Sequence, residues 1–248
     1  MAYRHPTGAE KEAYVRELFD QIAPYYDRMN QIMSLGQWGR WHRVFARYTG
    51  LRPGMCSLDV ACGTGDLTLL TAAQVAPTGR VVGVDISPGM LAVGRRRVEA
   101  SPYREVVELR EGNALDLPFP DNTFDCVTMG WAMRNVRDIR RTLQEAYRVL
   151  KPGGRYVNLE AANPQSLLSR ALLHTWWKTL LPLIDWLVVR AGPQARIRPY
   201  TYLSNSLRGY PSPERLAGMM EGVGFRDVGY VPLMLGSVCI HYGTKPAA

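Results

Sequence analysis

Long apolar runs are missing from this chain, lysine is nearly so, and cysteine is sparse. No stretch supplies the roughly 18 unbroken apolar residues of a membrane-spanning helix. The greasiest one, from Leu167 to Leu187, is interrupted by His174, Lys178, Pro182 and Asp185. The N-terminus has no apolar signal-peptide core, which points to a cytoplasmic protein. The four cysteines, Cys56, Cys62, Cys126 and Cys239, fall at no metal-ligand spacing. A zinc site and a disulfide scaffold are therefore set aside in favour of buried reduced thiols. Only four of the 30 basic residues are lysines, so the net charge of +8 is an arginine charge. Arginine preference alone names no partner. Internal repeats and low-complexity tracts are absent too, and 248 residues with 46% apolar content suit one domain with a sizeable core.

What is present is alternation. From Pro53-Gly54 onward, short apolar runs near 57–61, 80–85, 105–110, 124–129 and 154–160 alternate with helical stretches near 66–76, 88–100 and 138–150. That order predicts a doubly wound α/β fold, a parallel sheet covered on both faces through right-handed crossovers. Ser87-Pro88 and Asp138 stand near helix starts, and Lys151-Pro152-Gly153-Gly154 reads as a stop. Val228–Val231 and Val238–Tyr242 read as a late hairpin, bringing the mostly parallel sheet to seven strands. Upstream, residues 1–12 read as polar and loose. Val15, Leu18, Phe19 and Ile22 then mark an amphipathic helix ended by Pro24, and Trp38, Trp41, Val44, Phe45 and Tyr48 mark another whose aromatic stripe reads as core. The crowded run Tyr25–Asn30 is either a capping network or part of a site. One domain over 1–248 is expected, with N-terminal helices at 13–50, a ligand-binding core at 53–160, a helical cap at 161–211, and a last helix with terminal strands at 212–245.

The chain is organised around Ser57-Leu58-Asp59-Val60-Ala61-Cys62-Gly63-Thr64-Gly65-Asp66-Leu67-Thr68, a strand, a tight turn and a helix start. Gly63 and Gly65 permit the turn and leave no Cβ in a ligand's way. A dinucleotide fits poorly, because Thr68 stands where a third glycine is needed and Asp66 would repel a pyrophosphate. Asp85 closes the next strand 20 residues after Gly65, where a carboxylate meets ribose hydroxyls. A nucleoside without a diphosphate is implied. S-adenosylmethionine (SAM) satisfies this, its sulfonium and ammonium facing the negative charge of Asp59.

Ligands of such sheets lie at the carboxyl ends of the strands. There Ile86 and Met90 are placed to sandwich an adenine, and Asn113 with the neighbouring backbone to meet its edge, with an Asx-turn the competing reading for Asn113. After strand four, Trp131, Met133, Arg134 and Asn135 stand where acceptor and methyl donor would meet. Methyl transfer needs alignment, desolvation and an activated acceptor, and no metal. Arg134 is expected to stabilise a developing phenolate or enolate, and Tyr26 or a water chain to help remove its proton. His42, His174 and His241 read as structural. Residues 161–211 carry Arg170, Lys178, Arg190, Arg196, Arg198 and Arg208 against the single acid Asp185, six minus one, or +5. Interleaved with Leu, Trp and Val, these charges suggest an anionic membrane surface and not nucleic acid.

Several of these stretches together resemble the menaquinone and ubiquinone biosynthesis C-methyltransferases, class I SAM-dependent enzymes with a Rossmann-like fold that methylate a prenylated quinol ring. They are Tyr26-Asp27-Arg28-Met29-Asn30, the Leu58–Thr68 turn, Leu117-Pro118-Phe119-Pro120-Asp121-Asn122-Thr123-Phe124-Asp125, Arg134-Asn135-Val136, and Tyr202-Leu203 with Ser206. The match runs from about Phe19 to His241. The resemblance implies SAM contacts at Thr64, Asp85, Asn113, Ala114 and Gly130, where relatives often carry serine. It implies an activating network of Arg134, Asn135 and Tyr26. Trp176 and Tyr202 of the cap join Trp131 and Met133 in the expected acceptor pocket. Departures from the family pattern gather around the acceptor: Cys62 for a glycine, Trp131-Ala132-Met133 for Phe-Gly-Ile or Phe-Gly-Leu, Ala161 for a phenylalanine, and Tyr242 for an arginine. The expectation is a cytoplasmic enzyme, peripheral at the inner face of the membrane, converting demethylmenaquinol to menaquinol. A relative acting on another lipophilic phenol or sterol, a non-catalytic SAM-binding module, and a homodimer stay open.

Overall fold

The computed structural model describes residues 8–164, 166, 206–207 and 209–247. Seven strands form one sheet: β1 Cys56–Val60, β2 Arg80–Asp85, β3 Val107–Glu111, β4 Phe124–Gly130, β5 Leu150–Ala161, β6 Arg226–Leu233 and β7 Val238–Thr244. Their order is β3-β2-β1-β4-β5-β7-β6. Strands β1 to β5 pair in parallel, and β7 runs antiparallel to both β5 and β6. The chain moves outward in one direction from β1 to β3 and in the other from β4, which opens a crevice above the carboxyl ends of β1 and β4.

The helices follow the patterning. After α1 Gly8–Ile22 and a short 3-10 turn come α2 Tyr26–Met33, α3 Trp38–Ala46, α4 Asp66–Val75, α5 Pro88–Glu99, α6 Ile139–Val149 and α7 Pro213–Val223. Three starts are capped as their sequences suggest: the side chains of Ser87, Asp138 and Ser212 accept from the amides of Met90, Arg141 and Arg215. Helix α4 has no side-chain cap and begins at the left-handed Gly65 (φ 86°). Its first amides therefore face the crevice.

Strands β1, β2 and β4 are buried almost continuously along their length because helices cover both faces. One half of the core gathers Leu58, Val82, Val127, Tyr156, Met220 and Phe225. The other gathers Trp38, Trp41, Phe45, Val81, Val157 and Ile240. A third cluster joins Val15, Leu18, Ile22 and Met29 to Met90 of α5. Burying Val15, Leu18 and Ile22 stabilises by roughly 1.5–3 kcal/mol each, and that anchors α1 against α5.

Three expectations are corrected. Residues from Gly8 onward are helical, not loose. Strand β5 starts at Leu150 and not at 154: Phe124 pairs with Leu150 but Cys126 with Arg155, so Lys151–Gly154 form an irregularity inside the strand. Tyr48 falls beyond the end of α3 and stacks on Tyr242, ring centroids 4.9 Å apart. The helical cap expected at 161–211 lies almost wholly outside the described residues.

Candidate active site

The turn after β1 is built from left-handed residues: Ala61 (φ 55°), Gly63 (φ 55°) and Gly65 (φ 86°). The Gly63 amide donates to Asp85 Oδ2 at 2.8 Å, and Asp85 Oδ1 accepts from Ser87 N at 2.8 Å. Burial pushes the Asp85 carboxyl up to about 6. Its neighbour Asp59 is buried more fully, and each of its oxygens accepts one hydroxyl, Thr68 Oγ1 at 2.6 Å and Thr128 Oγ1 at 2.9 Å. No described basic side chain sits beside it, and burial lifts it to about 7.

Two cavities meet over this turn. The first is walled by Asp85, Ile86, Met90, Asn113 and Ala114 from the sheet side and by Glu12, Val15, Phe19 and Tyr26 from the N-terminal helices. Trp131 and Asn135 close its far end. The second holds Asp59, Thr64, Asp66, Trp38 and His42, and shares Tyr26, Ala61, Gly63, Gly130 and Trp131 with the first. Ten expected cofactor residues and Tyr26, Trp131 and Asn135 are thus brought to one place, Gly65 through the turn itself. Gly130 has a packing reason to lack a side chain: a Cβ there would stand 2.5 Å from Leu67 Cδ1.

Other placements differ from expectation. Arg134 lines neither cavity. Its guanidinium is buried against Glu160, bonds the Trp131 carbonyl at 3.1 Å and donates from Nε to Ser206 Oγ at 3.2 Å. A cation so held ties the loop that carries Trp131 and Asn135 to β5 and to Ser206. Met133 is fully buried in the sheet core and not in a pocket. Burial raises the Tyr26 hydroxyl to about 12, against a hydrogen bond with Asn30 that lowers it. A phenol that keeps its proton through the neutral range is a hydrogen-bond donor in that range. Asn113 adopts the Asx-turn, accepting from Leu115 N at 3.0 Å, while its amide donates to Glu12 Oε1 at 2.8 Å. Trp176 and Tyr202 lie outside the described residues.

Sequence reasoning missed the helical wall. Lys11 Nζ donates to the carbonyls of Val136 (2.7 Å) and Arg134 (3.1 Å). Asp20 accepts from Ser87 Oγ at 2.6 Å and from Gly89 N at 2.8 Å. Asp27 accepts from Thr64 Oγ1 at 2.6 Å, and Arg97 clasps Asp27, Asp66 and the Thr64 carbonyl together. The one available signal was Tyr25–Asn30, whose polar crowding marked both a network and a site. Trp38 was read as core. It is core, and it also stacks on Trp131 with centroids 4.8 Å apart and planes 19° apart. Trp131 holds a left-handed backbone (φ 60°), a strained state for a bulky residue.

This sheet order, with the acid-flanked glycine turn at its switch point, defines a class I SAM-dependent methyltransferase. A solved SAM-dependent methyltransferase from Aquifex aeolicus shares the fold at TM-score 0.59 and 20% identity, over 83% of this chain and 89% of that one. A model of the ubiE/COQ5 methyltransferase family matches residues 7–245, and the chain belongs to that family. It is 64% identical to a demethylmenaquinone methyltransferase of Symbiobacterium thermophilum over 98% of this chain and 97% of that one. It is 38% identical to a demethylmenaquinone methyltransferase of Bacillus cereus over 95% and 97% of the two chains.

Proposed function

We propose that the protein transfers the methyl group of SAM to a ring carbon of demethylmenaquinol, giving menaquinol. The near full-length likeness to the Symbiobacterium enzyme carries this reading, and the cleft supports it. Asp59 is a buried carboxylate with only hydroxyl partners, which suits a cationic ligand. When bound, SAM supplies an electrophilic methyl on sulfur. Asp85 would hold its ribose hydroxyls, Ile86 and Met90 its adenine faces, Asn113 and Ala114 the adenine edge, and Asp59, Gly63, Thr64, Gly65 and Gly130 the amino-acid end.

The acceptor side follows from what remains. Trp131, backed by Trp38, offers an aromatic wall for a flat ring. Tyr26 and Asn135 offer hydrogen bonds for a ring hydroxyl. Arg134 acts through Glu160 by fixing the loop, and is a positioning residue. Enclosure between α1 and the sheet excludes water, so the ring carbon and methyl meet without a competing nucleophile. The prenyl tail keeps the acceptor in a bilayer, and the protein meets it at the anionic inner face of the membrane.

Incubation with labelled SAM and a short-prenyl demethylmenaquinol, read by product mass, should show one added methyl on carbon. A protein that binds S-adenosylhomocysteine by calorimetry yet methylates only a benzoquinol or an unprenylated phenol would overturn the acceptor assignment.

A further inference from the structure

Among the described residues, large apolar side chains are exposed at five positions only: Ile32 (40%), Leu35 (53%), Tyr230 (37%), Met234 (39%) and Leu235 (73%). They fall in two places, the end of α2 with the turn that follows it, and the β6–β7 hairpin. At both, the chain takes left-handed backbone to present a bulky side chain outward: Leu35 at φ 52°, Met234 at φ 45° and Leu235 at φ 57°. Glycine or asparagine would hold such turns without strain, so the exposed leucines are retained against a local cost. The turn itself is firm, with Leu35 N bonded to Ile32 O at 3.1 Å and Gln37 N to Ser34 O at 2.9 Å.

Charge identifies the occupant. From 28 to 58 the chain carries Arg28, Arg40, Arg43, Arg47 and Arg52 and no acidic residue. All five arginines are exposed, and none forms an ion pair with a described residue. An apolar α2–α3 tip beside unpaired arginines, with a second apolar tip at the β6–β7 hairpin, suits a bilayer bearing anionic headgroups. Placement agrees. Trp38, three residues after Leu35, walls the second cavity and stacks on Trp131. Leu233, at the base of the other tip, packs against the same apolar cluster as Trp38 and Trp41. Ser237, just past that tip, accepts from Ala162 N at 2.9 Å, just past the carboxyl end of β5.

We infer that the α2–α3 turn and the β6–β7 hairpin tip form a docking surface for an anionic lipid bilayer, with Leu35 and Leu235 as its inserting residues and the arginines of α2 and α3 as its headgroup contacts. The surface rests on the prenylated-acceptor reading, and it delivers the acceptor to the Trp38–Trp131 wall from the lipid side.

Flotation of the full-length protein with vesicles of phosphatidylglycerol and phosphatidylcholine in equal parts tests this, with pure phosphatidylcholine as the second arm. The wild type should float with the anionic vesicles and lose most of that binding as salt rises. Leu35→Asn with Leu235→Asn keeps residues that tolerate left-handed backbone, and should lower partitioning by at least about tenfold. Binding of S-adenosylhomocysteine and turnover of a short-prenyl quinol in solution should stay unchanged. Arg40→Gln with Arg43→Gln repeats the test without touching the turns: it should cut partitioning onto anionic vesicles about tenfold and leave the phosphatidylcholine arm unaltered. Unchanged partitioning in both variants overturns the surface, as does retention by a DNA duplex in place of vesicles. Failure of the wild type to turn over the soluble quinol would count against the proposed reaction alone, since flotation reads the surface separately.

Discussion

Two kinds of bond hold the two walls of the cleft. The sheet wall is fastened by main-chain groups: Cys62 N to Val84 O at 2.9 Å, Gly112 N to Asp85 O at 3.0 Å, Trp131 N to Leu159 O at 2.7 Å. The helical wall of α1 and α2 is fastened by side chains, through Lys11, Glu12, Asp20 and Asp27. A ladder of backbone bonds survives most substitutions, whereas each side-chain latch is cut by one. On the proposed reading the difference amounts to a division of labour: the sheet wall would set where the cofactor lies, and the helical wall how long it stays.

The sharpest way to break that comparison is at Arg134, which joins the sheet wall through side chains. Arg134→Ala leaves Glu160, 1% exposed, as an unpaired buried acid and should cost about 3–5 kcal/mol of stability. That is roughly 6–20 °C in Tm for a chain of this size, and adding Glu160→Gln should recover part of it. An unchanged melt with lost turnover would instead give Arg134 a direct role at the acceptor. Next comes Asp85→Ala, which removes the expected ribose contact and strands the amides of Gly63 and Ser87. Calorimetry should show S-adenosylhomocysteine affinity falling about 100-fold.

The sequence was most legible where local chemistry alone decides the structure. The spacing from Gly65 to Asp85, the caps at Ser87 and Asp138, and the short strands rich in apolar residues all follow from short-range rules, and they mark the sheet wall. The helical wall was opaque because its contacts span long separations. Lys11 meets Val136 across 125 residues and Glu12 meets Asn113 across 101, and nothing in the polar run around Lys11 announces either partner. The placement of Arg134 was hidden for the same reason. Its place after β4 suggested the acceptor, while the side chain that claims it, Glu160, stands one strand away and pairs in a register visible only in the folded sheet.

A smaller effect separates the walls in time. Lys11→Met removes two hydrogen bonds from a half-buried ammonium whose pKa burial lowers. The cofactor's position should hold while its retention weakens. Stopped-flow displacement of S-adenosylhomocysteine should show dissociation about 3–10-fold faster, with association nearly unchanged. Faster dissociation without any such change in Asp85 variants' binding mode keeps the two walls distinct; an equal loss in association would merge them.

The smallest effect lies within the sheet wall, where Asp59 works against stability. Its folded value of about 7 lies above the ordinary 3.8. The folded chain thus keeps a proton that the unfolded chain releases, and stability falls as pH rises through that window, levelling off above 7. Asp85, at about 6, contributes to the acid side of the same slope. Asp59→Asn removes the larger share, so at pH 8 the ligand-free variant should be more stable by roughly 1 kcal/mol, about 2–4 °C in Tm, with the gain vanishing near pH 4. The cofactor's positive charges favour the ionised carboxylate, so SAM binding to the wild type should tighten between pH 6 and 8 and release a proton. Calorimetry in phosphate and in Tris, whose ionisation heats differ, reads that proton directly. Its persistence in Asp59→Asn would assign it to Asp85 and leave Asp59 a purely structural acid.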